Sequence, residues 1–227
     1  MAGGTRHVAD GDRSRLFGVY PAIVTDLEDP DSRGRVQVKL PWLGGTGSEV
    51  TAWATMISPY ADDDQGVEIL PEVDSLVIVA FEAGNIERPY VLGAAWNGTT
   101  TLPRPASNDN NFRMIKSRAG SRLEFDDTEG SAKVAITVAG DSSGAVHKIV
   151  MDDAGDSITI KARNGATVTI TSGGGIEITA NTKVTVTAPM VDVKAAMAKF
   201  SGVVKCETLV ATTVVGSTYT PGAGNVW

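Results

Sequence analysis

The chain has 227 residues, enough for one large or two small domains, with 42% hydrophobic residues, only 6% aromatic residues and 25 glycines. Its net charge of −7 is unevenly spread: Lys plus Arg against Asp plus Glu stands at 6 to 6 in residues 1–40, 2 to 10 in residues 41–112, and 12 to 11 in residues 113–227. An acidic middle disfavours binding to nucleic acid, and the single Cys206 excludes an intrachain disulfide framework or a four-thiolate zinc site.

Residues 1–14 are rich in Gly, Arg and Asp without any periodicity, which predicts a flexible N-terminal arm. No apolar block typical of a signal peptide follows, and no run approaches the roughly eighteen apolar residues of a membrane-spanning helix. We therefore expect a chain that is made in the cytosol without a signal peptide and does not span a membrane by itself.

Residues 15–98 are predicted to form a small closed barrel, because short apolar strands alternate with turn formers and no helical period appears. The predicted strands are residues 18–24, 35–40, 53–57, 75–81 and 89–95. The acidic loop 61–66 is interpreted as solvated, with a calcium site as the weaker alternative. Residues 99–112 contain Pro103 and Pro105 and are predicted to be a linker.

Residues 113–218 carry a repeating β unit with two apolar, same-facing positions in each strand. The pairs are Val134/Ile136, Ile149/Met151, Ile158/Ile160, Val168/Ile170, Ile176/Ile178, Val184/Val186 and Val191/Val193. The polar alternates predicted to face water are Thr159, Lys161, Thr167, Thr169, Glu177, Lys183, Thr185 and Asp192.

One such unit cannot be stable alone. Ordering eight residues costs on the order of 12 kcal/mol, while burying two Val or Ile side chains returns only about 3–6 kcal/mol. Each unit must share its ladder and its apolar face with the units above and below and with other chains. We therefore predict a thin needle in which several copies wrap around a common axis.

Catalytic and metal-binding patterns are weak. Asp126/Asp127 and Asp152/Asp153 each precede a glycine turn, which favours capping of backbone amides over acid–base chemistry. The two histidines, His7 and His147, form no metal-ligating pair, and no serine lies in a nucleophile-elbow pattern. We predict no catalytic residue, no cofactor, no metal site and no enzyme activity for this chain.

Four stretches resemble the OB-fold domain of phage baseplate assembly protein V and the VgrG spikes: residues 17–24, 29–42, 81–85 and 88–93. Residues 115–127 resemble the segment through which those spikes enter their β-helix. The resemblance implies an all-β fold with an N-terminal OB-fold barrel and a C-terminal intertwined, triple-stranded β-helix at 113–218. It also implies a homotrimeric, membrane-puncturing central spike in a phage tail, a tailocin, a type VI apparatus or an extracellular injection particle.

The same resemblance implies partners: baseplate hub and tube proteins, a PAAR-type tip protein, effector cargo, and the target cell envelope on firing. Because the chain begins almost at the barrel, we expect a separate protein to supply the hub. Residues 219–227 are similar to a blunt end that accepts a PAAR-type cap, which would bring its own metal. The residues predicted to dock that cap are Tyr219, Pro221, Gly222, Gly224, Asn225 and Trp227.

Three other functions remain open from the sequence. A trimeric receptor-binding fibre or adhesin would share the repeats but should end in a broad, aromatic-rich tip. An OB-fold nucleic-acid binder is opposed by the acidic middle of the chain. A solenoid carbohydrate enzyme would need longer turns than the two to five residues found here.

Overall fold

The computed structural model describes residues 15–44, 48–140 and 144–218. It divides the chain into two units, Met1–Thr179 and Ala180–Trp227. Apart from one 3₁₀ turn at Glu82–Gly84, the regular structure of the described residues is β. The strands are β1 Val19–Asp26, β2 Arg35–Lys39, β3 Thr51–Met56, β4 Ala61–Asp62, β5 Gln65–Gly66, β6 Leu76–Phe81, β7 Pro89–Ala94, β8 Phe112–Lys116, β9 Arg122–Asp126, β10 Lys133–Thr137, β11 Lys148–Asp152, β12 Ser157–Lys161, β13 Thr167–Ile170 and β14 Ile176–Thr179. In the part of the chain that the structure describes, no helix has the length and apolar character needed to cross a bilayer.

Five strands close into a barrel in the order β1-β2-β3-β7-β6, with β6 returning to β1. All neighbours are antiparallel except β3 and β7, which run parallel and pair Thr55 with Tyr90. The inward positions alternate along each strand and form the core, which consists of Ala22, Val24, Val36, Val38, Leu40, Ala54, Val77, Val79, Phe81 and Val91. The five strands predicted from alternation are confirmed, and so is the all-β fold class.

The turn between β1 and β2 is held by the carboxylate of Asp29. Its Oδ2 accepts hydrogen bonds from the backbone N of Arg33 at 2.8 Å and from Arg35 Nε at 3.0 Å, and its Oδ1 accepts one from Arg35 Nη2 at 2.6 Å. The Asp29 side chain is only 4% exposed, whereas that of Asp31, which also pairs with Arg35, is 60% exposed. The Arg35 guanidinium and the neighbouring amides hold the pKa of Asp29 well below its usual range.

Asp29→Ala is therefore expected to destabilise the barrel much more than Asp31→Ala. The first change leaves the amides of the turn and most of the Arg35 guanidinium without an acceptor, whereas the second removes a screened surface pair. Thermal unfolding followed by circular dichroism should show a midpoint lower by roughly 10 °C for Asp29→Ala and by about 2 °C or less for Asp31→Ala.

The same pair provides a test of pH dependence. Because the folded-state pKa of Asp29 is lowered, its stabilisation is complete above about pH 4 and is lost as the pH falls towards the lowered value. The stability difference between wild type and Asp29→Ala should then shrink below about pH 4. Equal midpoints for the two alanine variants at pH 7 would contradict the central role of Asp29.

The remaining strands of the first unit form an antiparallel meander, with β8 to β14 side by side in chain order. Each strand pairs with its sequence neighbours, so the prediction that each repeat shares its ladder with the next is confirmed for the repeats up to Ile176/Ile178. The predicted repeats Val184/Val186 and Val191/Val193 form no strand within the chain. In the second unit, residues 180–218 contain neither helix nor strand and are exposed throughout.

Candidate functional site

The meander presents one face made of two apolar rows. The register aligns Ile115, Leu123, Ile136, Ile149, Ile160, Val168 and Ile178 in one row, and Phe125, Val134, Met151, Ile158, Ile170 and Ile176 in the other. Side chains two apart in a strand point to the same side of a sheet, so both rows lie on one face. At the usual strand spacing of about 4.8 Å, the rows extend roughly 30 Å across the sheet.

This apolar face is uncovered. Most of its side chains are exposed, including Ile136, Ile149 and Ile178, although an isolated soluble chain gains nothing from wetting aliphatic groups. Contiguous exposed apolar patches larger than a few hundred Å² mark interaction surfaces. The face therefore fits contact with another apolar surface of similar length.

The opposite face carries ion pairs formed within the chain, although the hydroxyl of the buried Thr137 on that face has no hydrogen-bond partner. Lys133 Nζ lies 2.9 Å from Asp152 Oδ2 across the β10–β11 pair, and Glu124 Oε2 lies 3.0 Å from Arg104 Nη2. Arg104 belongs to the predicted linker and also sits over the Phe112 ring, with its Cζ 3.5 Å from the ring centroid. Charged groups of the polar face thus find partners within the chain, whereas most of the apolar face has no cover and is the better candidate for a contact surface.

The polar alternates behave as the alternation predicts, because Thr159, Thr167 and Thr169 lie on the face opposite the apolar rows. In the single chain, however, these threonines are half-buried while the neighbouring Ile158 and Val168 are more exposed. In the single chain the apolar side chains are thus more exposed than the polar ones, which is the opposite of the arrangement in a hydrophobic core.

The first aspartate of each pair, Asp126 and Asp152, caps turn amides as predicted, whereas Asp127 pairs with Arg113. Asp126 Oδ1 accepts hydrogen bonds from the backbone N and the hydroxyl of Thr128, and the hydroxyl bond lowers the pKa of that carboxyl. Asp152 Oδ1 accepts a hydrogen bond from the backbone N of Gly155 at 3.0 Å, while Lys133 lowers its pKa. Both pairs line one open hollow of about 440 Å³ beside Lys133, but the Asp126 and Asp152 carboxylates there are already engaged in the turn contacts just described. Among the described residues, no cluster of three or more His, Cys, Asp or Glu side chains is placed to hold a metal ion.

The predicted cap-docking residues, Tyr219, Pro221, Gly222, Gly224, Asn225 and Trp227, lie outside the described residues. The predicted arm at 1–14 lies outside them as well. Two features were not predicted from the sequence: the contacts of Arg104 with the polar face, and a group of exposed apolar side chains in the loop 57–73 of the barrel. No feature of the sequence could have predicted the contacts of Arg104, because a single arginine between two prolines belongs to no periodic pattern or motif.

The second unit repeats the apolar pattern without strands of its own. Val184, Val186, Val191 and Val193 are all exposed, and so are Leu209, Val210, Val214 and Val215 further along. Among the described residues 180–218, these side chains have no apolar cover.

Comparisons with known families place both parts of the chain. Residues 20–96 match the type VI secretion system and phage-baseplate injector OB domain. Residues 142–198 match the phage baseplate V C-terminal trimerisation domain, which takes in β11 to β14 and the Val184/Val186 and Val191/Val193 pairs.

Similar curated proteins include spike proteins. The type VI secretion system spike protein VgrG3 of Vibrio cholerae is 24% identical over 113 residues, which are 47% of this chain and 11% of that protein. VgrG2a of Pseudomonas aeruginosa, also a type VI spike protein, is 30% identical over 113 residues, 47% of this chain and 13% of that protein. The actin cross-linking toxin VgrG1 of Vibrio cholerae is 21% identical over 123 residues, 51% of this chain and 11% of that protein.

The matched segments make up only 11–13% of the length of these relatives. The two matched domains together cover more than half of the chain, and they take in nearly all of the barrel and strands β11 to β14 of the meander. By its OB domain and its trimerisation domain, the chain belongs to the family of phage baseplate V and VgrG-type spike proteins.

Proposed function

We propose that this chain is the central spike of a contractile injection machine and that three copies associate through the apolar face of β8 to β14. The observation that carries the proposal is the pair of uncovered apolar rows, much of which lies inside the segment that matches a trimerisation domain. Three copies turned inward would bury those rows against one another. The polar face, already paired through Lys133, Asp152 and Glu124, would then face solvent.

Residues 180–218 extend the same argument. Their backbone N–H and C=O groups form no sheet within the chain, and buried or stable β structure requires that such groups be paired. We propose that this segment pairs with the corresponding segments of two sister chains and forms the intertwined part of a triple-stranded β-helix. The domain limits 15–98, 99–112, 113–218 and 219–227 belong to this proposal.

The proposed role is mechanical. A contracting sheath would drive the tube, and the needle would transmit the load to the target envelope, together with any effector cargo. A β-helix of three chains suits this load because many ladder hydrogen bonds and interlocked apolar contacts must break together. The barrel would seat the trimer on hub and tube proteins, and residues 219–227 would accept a PAAR-type tip protein. We propose no catalytic role, since Asp126 and Asp152 cap turn amides.

The first test of this function is the mass and shape of the purified full-length chain. Sedimentation velocity should give an elongated particle of three times the 23.7 kDa chain mass, resistant to dissociation by SDS at room temperature. If the purified chain is a globular monomer, the proposal is wrong. To separate a spike from an adhesin, the chain should co-purify with contractile particles, and the isolated trimer should not adhere to target cells.

A further inference from the structure

A second uncovered apolar surface lies on the barrel, in the loop of residues 57–73 between β3 and β6. Its large apolar side chains are exposed: Ile57, Tyr60, Val67, Ile69, Leu70 and Val73. Scattered apolar residues on a surface need no explanation, but six within seventeen residues form a patch. We call this patch, residues 57–73, the loop surface.

The loop surface is held in one conformation by its own hydrogen bonds. β4 and β5 form a small hairpin, and the backbone N of Val67 donates to the carbonyl oxygen of Tyr60 at 2.9 Å. Ser58 Oγ lies 2.8 Å from the carbonyl oxygens of both Tyr60 and Val67. At the end of the loop, Glu72 accepts a hydrogen bond from Arg118 at 2.9 Å. A surface that is already ordered loses little conformational entropy when a partner binds.

All of these apolar side chains except Val73 line a hollow of about 570 Å³. The carboxylates of Asp62, Asp64 and Glu68 line it as well. Arg33 is the one basic residue among its lining residues. A hollow that combines exposed apolar side chains with carboxylates offers the two kinds of contact found in protein interfaces, apolar anchors and charged groups.

The charge of the loop surface decides between a second copy and a different partner. Residues 57–73 hold five carboxylates and no Lys or Arg, and the barrel, residues 15–98, holds 13 acidic against 5 basic residues. Two such barrels would repel one another at their loop surfaces, whereas a basic surface would be attracted. The exposed apolar side chains of the loop surface favour the binding of a partner, and the negative charge around them favours a basic one.

We infer that the loop surface docks a different protein, through a segment that places an apolar side chain in the hollow and Lys or Arg residues around it. This inference builds on the proposed function, because a spike has to be held by neighbouring proteins of its machine. It assigns that contact to residues 57–73 rather than to the apolar rows of the meander, which are proposed to contact sister chains.

Photo-crosslinking in the strain that encodes the chain tests the inference. The full-length chain carries p-benzoylphenylalanine at Ile69, which is 64% exposed, or at Val19, which is 61% exposed and lies outside the loop surface. After irradiation of whole cells, the chain is purified and the crosslinked peptides are identified by mass spectrometry. A third sample combines the Ile69 probe with Asp62→Asn, Asp63→Asn and Asp64→Asn.

We expect the Ile69 probe to crosslink a different polypeptide at a segment of net positive charge, and the Val19 probe not to crosslink that segment. The three asparagines should reduce the yield about tenfold, because the acidic charges of the loop surface raise the rate of encounter with a basic partner. Four results would overturn the inference. The Ile69 probe could give no adduct, an adduct with a second copy of this chain, or an adduct at a neutral or acidic segment. The fourth is a yield that the three asparagines leave unchanged. The mass of each purified variant is measured in parallel. A variant that fails to form trimers would contradict the proposed function, and this result is distinguishable from the loss of the crosslink alone.

Discussion

Ile160→Asp is expected to prevent trimer formation and leave a monomer with an intact barrel. Ile160 lies in the middle of an apolar row, between Ile149 and Val168, and is 50% exposed in the single chain. In the proposed trimer the change removes the burial of three isoleucines, each worth about 1.5–3 kcal/mol, and places three carboxylates in an apolar interior. An uncompensated buried charge costs several kcal/mol more for each copy. We expect the combined loss of free energy to be too large for the three chains to stay associated.

The matched control is Thr159→Asp, one residue earlier on the same strand and on the opposite face. It adds the same charge to the face that we propose to be wet, so the trimer should persist. Sedimentation velocity gives the mass of both variants, and far-ultraviolet circular dichroism checks that each keeps its β structure. If Ile160→Asp remained a trimer, or if both variants dissociated alike, the apolar rows would not be the trimer contact.

Val184→Asp combined with Val186→Asp should give a trimer that loses its resistance to SDS and heat. Both valines are exposed in the second unit, where the described residues 180–218 form no strands within the chain. If sister chains supply the pairing, the six introduced carboxylates of a trimer disrupt contacts that break late in unfolding. The temperature at which the SDS-resistant trimer dissociates should fall by roughly 20 °C or more.

Thr185 lies between the two valines, so in the proposed inter-chain strand its side chain would point to the other side. Thr185→Asp should therefore leave that temperature within a few degrees of wild type. Gel electrophoresis of unboiled samples after incubation at increasing temperatures measures the effect. A double-valine variant as heat-resistant as wild type would show that residues 180–218 do not pair between chains. The apolar rows of the meander could still hold the trimer in that case.

Much of the fold follows from local patterns in the sequence. Alternation in residues 35–40 predicts a half-buried strand, and β2 shows it, with Val36 and Val38 in the core and Arg35, Gln37 and Lys39 outside. The two-per-strand apolar repeat predicts which side chains share a face, and the register confirms it for Ile149 with Ile160. Aspartate before a glycine turn predicts amide capping, which Asp152 provides. These predictions succeed because side-chain period and turn chemistry act over a few residues.

Contacts between distant residues could not be predicted in this way. Nothing in the sequence near Arg104 indicates that it reaches Glu124, twenty residues later, or lies over the Phe112 ring. The acidic loop 61–66 is predicted to be solvated, and its carboxylates are exposed. The sequence does not indicate, however, that the nearby apolar residues Ile69 and Leu70 are exposed as well.

The sequence by itself determined that the chain is all-β, where the barrel strands lie, and that the second half repeats a unit too small to enclose a core. Only the tertiary structure decided that β8 to β14 pair in consecutive antiparallel order and that Arg104 and Lys133 pair with carboxylates of the polar face. It also decided that the apolar rows and the loop surface remain exposed. The physical reason is that a period of two assigns each side chain to a face, whereas the covering of that face depends on where the rest of the chain folds.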